Sequence, residues 1–291
     1  MLLDQSISAG IDFDVTSGIL LPQLDRIISP GKMGVGISEM LGMELQRLSL
    51  LTRVYLKRGY LEGIPTIRDR NIDLTKVHLS DGLPYLLDHL SDDETEEFYR
   101  HGLLLEPEEG FPLYFDRWQY NSVNFVAVTN TGEELSVVGS ARLIYDHTDT
   151  GNLPTLIDPS ISFFPEWEQL ARSARVEFSQ LAVDAPSRLQ TGLAATTLLR
   201  RAKEYSDSVG SPLWIATIDT HVKNLLNGKY YGFGLPEIGP EVDYLGSLSV
   251  PTWIDTDLAI ENASRDELSK NTADFLRGNI ESPMSSWYVG L

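Results

Sequence analysis

The chain has 291 residues and a formal net charge of −19, from 42 acidic and 23 basic side chains, so its surface field opposes nucleic-acid binding. Zero cysteines exclude disulfides, thiolate metal sites and a cysteine nucleophile. The sequence shows no apolar run of the roughly 18 residues that a membrane span needs. It also opens without a secretory signal, so we expect a soluble cytoplasmic protein with no membrane span and no metal.

The first hundred residues predict helices and turns. Gly34-Val35-Gly36 is typical of a turn, and apolar residues at helical spacing predict a helix over 37–57. Residues 59–86 are rich in Gly, Pro and Asp and are interpreted as a long irregular connection. Ser91-Asp92-Asp93-Glu94 has the form of a capping box, which predicts a helix running to about His101.

From residue 124 onward the pattern changes to strands alternating with helices. The expected strands are 124–129, 135–145, 175–183, 212–218, 230–235 and 244–254. A long helix is expected between Ser187 and Gly210, and a short one from Asp219 to about Gly228. Ser264-Arg265-Asp266-Glu267 predicts the start of a last helix. The order favours an α+β or α/β fold with a mixed central sheet flanked by helices.

The segment 175–205 carries the first resemblance to a known family. It contains a strand with Leu181-Ala182-Val183, then a loop, and then Gly192-Leu193-Ala194 near a helix start, where backbone N–H groups favour an anion. This segment resembles the acyl-cofactor-binding part of the Gcn5-related N-acetyltransferase (GNAT) superfamily. The resemblance implies a GNAT-like sheet whose loop holds the pyrophosphate or phosphopantetheine phosphate of an acyl thioester.

Further motifs are similar to one branch of that superfamily, the acyl-homoserine-lactone (autoinducer) synthases and N-acyl amino acid synthases. The matching pieces are Tyr114-Phe115-Asp116-Arg117-Trp118, Gly139-Ser140-Ala141-Arg142-Leu143, Glu177-Phe178-Ser179-Gln180-Leu181 and, more distantly, Thr52-Arg53-Val54-Tyr55. They occur in the family's order and cover roughly residues 45–255. The sequence departs from the family pattern at Gln180, where the family has Arg, and at Gln119, where it has a second acid.

The chemistry of amide formation and the resemblance together assign candidate roles. Glu177 is the candidate general base, acting directly or through water, and the backbone N–H groups of Leu181, Ala182 and Val183 are candidate oxyanion donors. Arg142 is expected to pair with an acid or to grip a substrate carboxylate. Asp116, a candidate catalytic residue, and Trp118 are expected to hold the amine or to wall the pocket. The remaining candidates are Phe178 and Ser179, with Trp118, for the substrate pocket, and Arg188, Gly192 and Ala194 for cofactor phosphate.

The sequence therefore predicts an N-acyltransferase that moves an acyl group from acyl-CoA or an acyl carrier protein to the amine of a small polar or amino-acid-like acceptor. We expect a helical extension or lid over 1–115, a GNAT-like core over 116–260 and a C-terminal helix and tail over 261–291, with no permanently bound cofactor. The alternative is a GNAT-fold acyl- or CoA-binding regulatory module that has lost catalysis, which the changes at Gln119 and Gln180 favour. Each candidate also has an ordinary structural interpretation, such as a cross-strand ion pair for Arg142.

Overall fold

The computed structural model describes residues 33–38, 41–68, 72–78, 82–106, 111–130, 135–147 and 151–280. The strands in this part of the chain are β1 Met33–Ile37, β2 Thr66–Ile67, β3 Leu103–Leu105, β4 Leu113–Phe115, β5 Ser122–Asn130, β6 Leu135–Tyr145, β7 Val176–Val183, β8 Leu213–Asp219, β9 Val242–Tyr244 and β10 Ser247–Asp255. The α-helices are α1 Leu41–Arg58, α2 Leu74–His78, α3 Gly82–Leu87, α4 Asp92–His101, α5 Pro154–Ile157, α6 Glu168–Arg172, α7 Arg188–Ser208, α8 Thr220–Asn227, α9 Thr256–Ala263 and α10 Lys270–Leu276, and Arg117–Asn121 is a 3₁₀ helix.

Within the described residues, seven strands form the main sheet in the order β1-β5-β6-β7-β8-β10-β9. The pairs β1–β5, β8–β10 and β9–β10 are antiparallel, whereas β7 and β8 run parallel. A second sheet has the order β2-β3-β4. The predicted fold class, a mixed sheet with helices around it, is confirmed. Among the residues that can be described, no helix is both long enough and apolar enough to cross a membrane.

The chain divides into two compact units, which are described one at a time. The first comprises residues up to Ser140 together with Ala182–Asp184, and the second comprises 141–181 and the residues from Ala185 onward. In the first unit, apolar side chains of α1 enter two clusters, one with β5 and one with the small sheet and α4. The predicted capping box is present, because Ser91 accepts from the Glu94 backbone while the Glu94 carboxylate accepts from the Ser91 N–H.

The second unit is organised around β8, which lies between β7 and β10. β10 pairs with β8 along the whole strand, from Ser249 opposite Asp219 to Asp255 opposite Leu213. Asp219 begins α8 as predicted, because its carboxylate accepts the backbone N–H groups of His221 and Val222. α7 packs against α10, and α10 against α9. The continuously apolar run at 213–218 is thus a central strand, as expected.

Five sequence predictions of local structure are wrong. Gly34 and Gly36 belong to strand β1, because backbone pairing with β5 overrides the turn preference of glycine, and α1 therefore begins at Leu41 rather than at residue 37. The supposed connection 59–86 contains β2, α2 and α3. Residues 230–235 form no strand, because Gly232 and Gly234 take left-handed φ angles of 62° and 63°. Ser264 ends α9 rather than starting a helix.

Candidate active site

Glu177 is a buried carboxylate in the middle of strand β7, with 3% of its surface exposed. Its Oε2 accepts the backbone N–H of Thr155 at 2.8 Å. Thr155 is the second residue of the four-residue helix α5, and its hydroxyl lies 2.8 Å from the hydroxyl of Thr217 on β8. A buried carboxylate needs such donors, since an ionised group without a partner is costly in the protein interior. The predicted base therefore accepts a backbone N–H of α5, and the residue that donates it is itself bonded to β8.

The parallel strands β7 and β8 meet at Glu177, which lies opposite Ile215. Three residues later, Gln180 has a φ of 54°, a left-handed conformation that an extended strand does not use. β7 continues to Val183 and β8 to Asp219, yet over their described residues no further register pair joins them. Over these described residues, register pairing between the two strands is therefore confined to the buried glutamate and Ile215, and β7 takes its left-handed residue shortly after it.

The two faces of β7 differ in chemistry because side chains alternate along a strand. Ser179 shares a face with Glu177, and its hydroxyl lies 3.5 Å from Nη2 of Arg142, a buried arginine on β6. The opposite face carries Phe178, whose ring stacks on Trp214 of β8 with the centroids 5.3 Å apart. The structure thus brings together the predicted residues Arg142, Glu177 and Ser179 on one polar face, and places Phe178 in the apolar core behind it.

The structure places the predicted phosphate-binding residues in the first two turns of α7. α7 begins at Arg188, which is exposed, and the Ser187 side chain caps it by accepting from the Gln190 N–H. Gly192 and Ala194 are buried in the second turn of α7, four and six residues after its first residue. Residues in the first turn of a helix carry the N–H groups that favour an anion, so Arg188 and Leu189 lie where an anion is favoured. The phosphate-binding role of Arg188, Gly192 and Ala194 stays a prediction.

The residue that follows β7 forms a backbone hydrogen bond to β6 that the sequence did not indicate. The N–H of Asp184 donates to the carbonyl oxygen of Val138 on β6 at 2.9 Å. Ala182 packs in the apolar cluster of the first unit with Val126, Val128 and Val137. The role of Leu181, Ala182 and Val183 as oxyanion donors stays a prediction.

In the first unit, Asp116 and Trp118 lie at the start of the 3₁₀ helix. Asp116 is buried, and the Arg117 guanidinium stacks 4.6 Å from the Trp118 ring. Burial, and next the charge of Asp116, raise the pKa of Tyr120, whose hydroxyl donates to the carbonyl oxygen of Val77. Burial lowers the pKa of Arg117, although Tyr99 and Asp116 oppose that change. These contacts fix the 3₁₀ helix, and the amine-binding role of Asp116 and Trp118 stays a prediction.

A buried ion pair on α1 was missed by the sequence analysis. Glu44 and Arg47 are both fully buried, and their side chains are joined at 2.5 and 2.8 Å. Gln119 joins them from the 3₁₀ helix, accepting from Arg47 at 2.9 Å and donating to Glu44 at 2.5 Å. The predicted family-like arginine, Arg53, is exposed instead. The missed signal is the placement of Glu44 and Arg47 on the same helix face as Leu48 and its apolar neighbours.

Exchanging Gln119 for Glu tests this arrangement. We expect Q119E to lower the free energy of unfolding by about 2 kcal/mol, because a second carboxylate at a half-buried position would then share one guanidinium with buried Glu44. Adding E44Q restores a single carboxylate beside Arg47, so the double variant E44Q/Q119E should regain most of the loss. Urea denaturation followed by circular dichroism measures both; a Q119E variant as stable as the wild type would contradict the contacts seen here.

Comparisons with known proteins give structural neighbours and no sequence match. No protein-family profile and no curated protein matches the sequence. Among solved structures, FeeM, an N-acyl amino acid synthase from uncultured soil microbes, is 11% identical, covering 82% of this chain and 97% of that one with a TM-score of 0.43. The acyl-homoserine-lactone (AHL) synthase LasI is 14% identical, covering 78% and 93%, with a TM-score of 0.42.

A third neighbour is MesI, described as a CoA-dependent acyl-homoserine lactone synthase. It is 18% identical, and the match covers 55% of this chain and 75% of that chain with a TM-score of 0.36. Acyl-homoserine-lactone synthases and N-acyl amino acid synthases are the two classes of protein that the sequence motifs resemble.

Proposed function

We propose that this protein is an N-acyltransferase that transfers an acyl group from a phosphopantetheine thioester to the amine of a small polar acceptor. The observation that carries the proposal is a buried glutamate at the single register pair of two parallel strands over their described residues, followed three residues later by the left-handed Gln180. Main-chain N–H and C=O groups of β7 next to this glutamate are the proposed partners of an extended, amide-containing donor. Acyl-CoA and an acyl carrier protein are the two candidate donors.

The proposed reaction uses Glu177 as the base. The amine nitrogen attacks the thioester carbonyl carbon and a C–N bond forms. The C–S bond then breaks, and the sulfur leaves as a thiolate that takes up one proton from solvent water. The proton lost by the amine passes to Glu177, directly or through a water molecule. Backbone N–H groups of β7 near Leu181 are the proposed donors to the oxygen that gains charge during the attack.

The first turn of α7 is the proposed binding site for the phosphate of the donor. Arg188 is exposed at the first position of the helix, where its positive charge adds to the positive end of the helix dipole. We propose that this end of α7 contacts the phosphate of the donor. The small residues Gly192 and Ala194 would allow the second turn of the helix to lie close to that phosphate.

The test is thiol release with several acyl donors. Because the chain has no cysteine, a thiol reagent detects the released CoA without any protein background. We expect release that requires both an acyl-CoA, or an acyl carrier protein, and an amine acceptor from a panel of amino acids. Native mass spectrometry of the same mixtures should show one preferred acyl length bound to the protein.

Two outcomes would count against the proposal. Binding of an acyl thioester without acceptor-dependent release would favour the alternative, a binding or regulatory module. Neither binding nor release with acyl-CoA or acyl carrier protein of any chain length would overturn the proposal entirely.

A further inference from the structure

Helix α5 is too short to hold its own position. It has four residues, and isolated helices of that length are unstable in water. Pro154 at its first position sets a helical backbone angle, and Thr155 beside it is buried, with 1% of its surface exposed. The position of α5 is therefore determined by what these side chains contact.

Thr155 contacts both of the strands that pair at the candidate site. Its backbone N–H donates to Glu177 of β7, and its hydroxyl bonds the hydroxyl of Thr217 of β8, each at 2.8 Å. Thr217 lies two residues beyond Ile215, the residue paired with Glu177, and on the same face of the sheet. One residue thus spans the two strands close to their register pair.

We infer that Thr155 is a positioning residue, whose bond to Thr217 holds its N–H where it orients the Glu177 carboxylate. This inference rests on the proposed function. The backbone N–H fixes one carboxylate oxygen, Oε2, and so fixes the direction in which the other oxygen points. Without the hydroxyl bond, α5 loses a hydrogen bond to β8, and the N–H that donates to Oε2 is held less firmly.

A double-mutant cycle tests the inference. T155V and T217V each remove one hydroxyl and keep the shape of the side chain. Each should lower kcat by about 10-fold to 100-fold, since small displacements of a catalytic group have effects of that size, while the KM for the thioester changes little. The double variant T155V/T217V should be no slower than either single variant, and T155S, which keeps the hydroxyl, should retain wild-type kcat.

The matched control is T272V in α10. Thr272 is also fully buried and donates one hydrogen bond, to the carbonyl oxygen of Tyr230 at 2.8 Å, so its loss reproduces the cost of removing a buried hydroxyl. T272V should lower the melting temperature about as much as T155V does, yet leave kcat unchanged. A purely structural role for Thr155 would make the two variants alike in kcat as well.

A second measurement does not depend on turnover. In protein labelled with ¹⁵N-threonine, the Thr155 amide is identified by its loss in T155V, and E177Q should move its proton signal upfield because a neutral acceptor bonds more weakly. T217V should move the same signal, since it frees α5. The inference is wrong, and the proposed function stands, if the wild type is active and T155V and T217V have the same kcat as the wild type. The same conclusion follows if neither E177Q nor T217V shifts the Thr155 amide signal. A wild type without acceptor-dependent thiol release overturns both.

Discussion

The variant E177Q should lose acyl transfer while keeping its fold and its donor binding. Glutamine has the size of glutamate, and its amide oxygen can still accept the Thr155 N–H, so the strand and α5 stay in place. The amide cannot take a proton from the amine, however, and removing a general base lowers the rate by about 100-fold or more. Acceptor-dependent thiol release measures this loss, and native mass spectrometry of acyl-CoA complexes measures binding separately.

The control for E177Q is the same substitution at an exposed glutamate. Glu168 forms a surface ion pair with Arg172 at 2.6 Å and is 42% exposed, so E168Q should match the wild type in rate and in stability. Wild-type turnover by E177Q would remove Glu177 from the mechanism. A variant that binds the thioester but does not turn it over would support the assignment.

Arg47→Met should cause the largest loss of stability of any single change considered for this protein. Methionine fills much of the arginine volume, but it leaves the Glu44 carboxylate buried without its guanidinium partner. Breaking a buried ion pair from one side costs about 3–5 kcal/mol. Gln119 loses one of its two contacts in the same step. In urea denaturation followed by circular dichroism, R47M should unfold at a lower urea concentration than the wild type.

A surface ion pair supplies the comparison for this prediction. Arg172→Met breaks the exposed pair with Glu168, whose partners are 62% and 42% exposed, and should change the unfolding free energy by less than about 1 kcal/mol. Similar losses for R47M and R172M would show that the α1 pair is solvated in solution, which would contradict the burial described here.

Local signals were sufficient for much of the fold. The capping box at Ser91 and the acidic cap at Asp219 were predicted correctly because each depends on residues close in sequence. Strand β6, Leu135–Tyr145, was predicted with its observed ends from β-branched and apolar residues. Predictions for two glycine-containing segments were wrong in opposite ways, since the turn predicted at Gly34 and Gly36 is a strand and the strand predicted at 230–235 is not formed. A glycine fits a strand as well as a turn, and pairing with a neighbouring strand determines which of the two forms.

The candidate site was predicted in part, for a similar physical reason. Glu177, Arg142 and Ser179 stood out because they lie in strands with recognisable neighbours. Thr155 did not, since its importance comes from a backbone N–H and a contact with Thr217, 62 residues away. The left-handed Gln180 was also unpredictable, because the backbone angle of a non-glycine residue inside a strand depends on the pairing of the whole strand.

The contacts of Gln119 have a consequence for how sequences of this kind can diverge. A neutral amide presents its oxygen to Arg47 and its nitrogen to Glu44, so the negative charge of this cluster resides on α1 rather than on the 3₁₀ helix. A carboxylate is accommodated at position 44 or at position 119, but two together would exceed the one guanidinium between them. In sequences that share this arrangement, the two positions should therefore covary, with the acid changing places and the net charge of the cluster conserved.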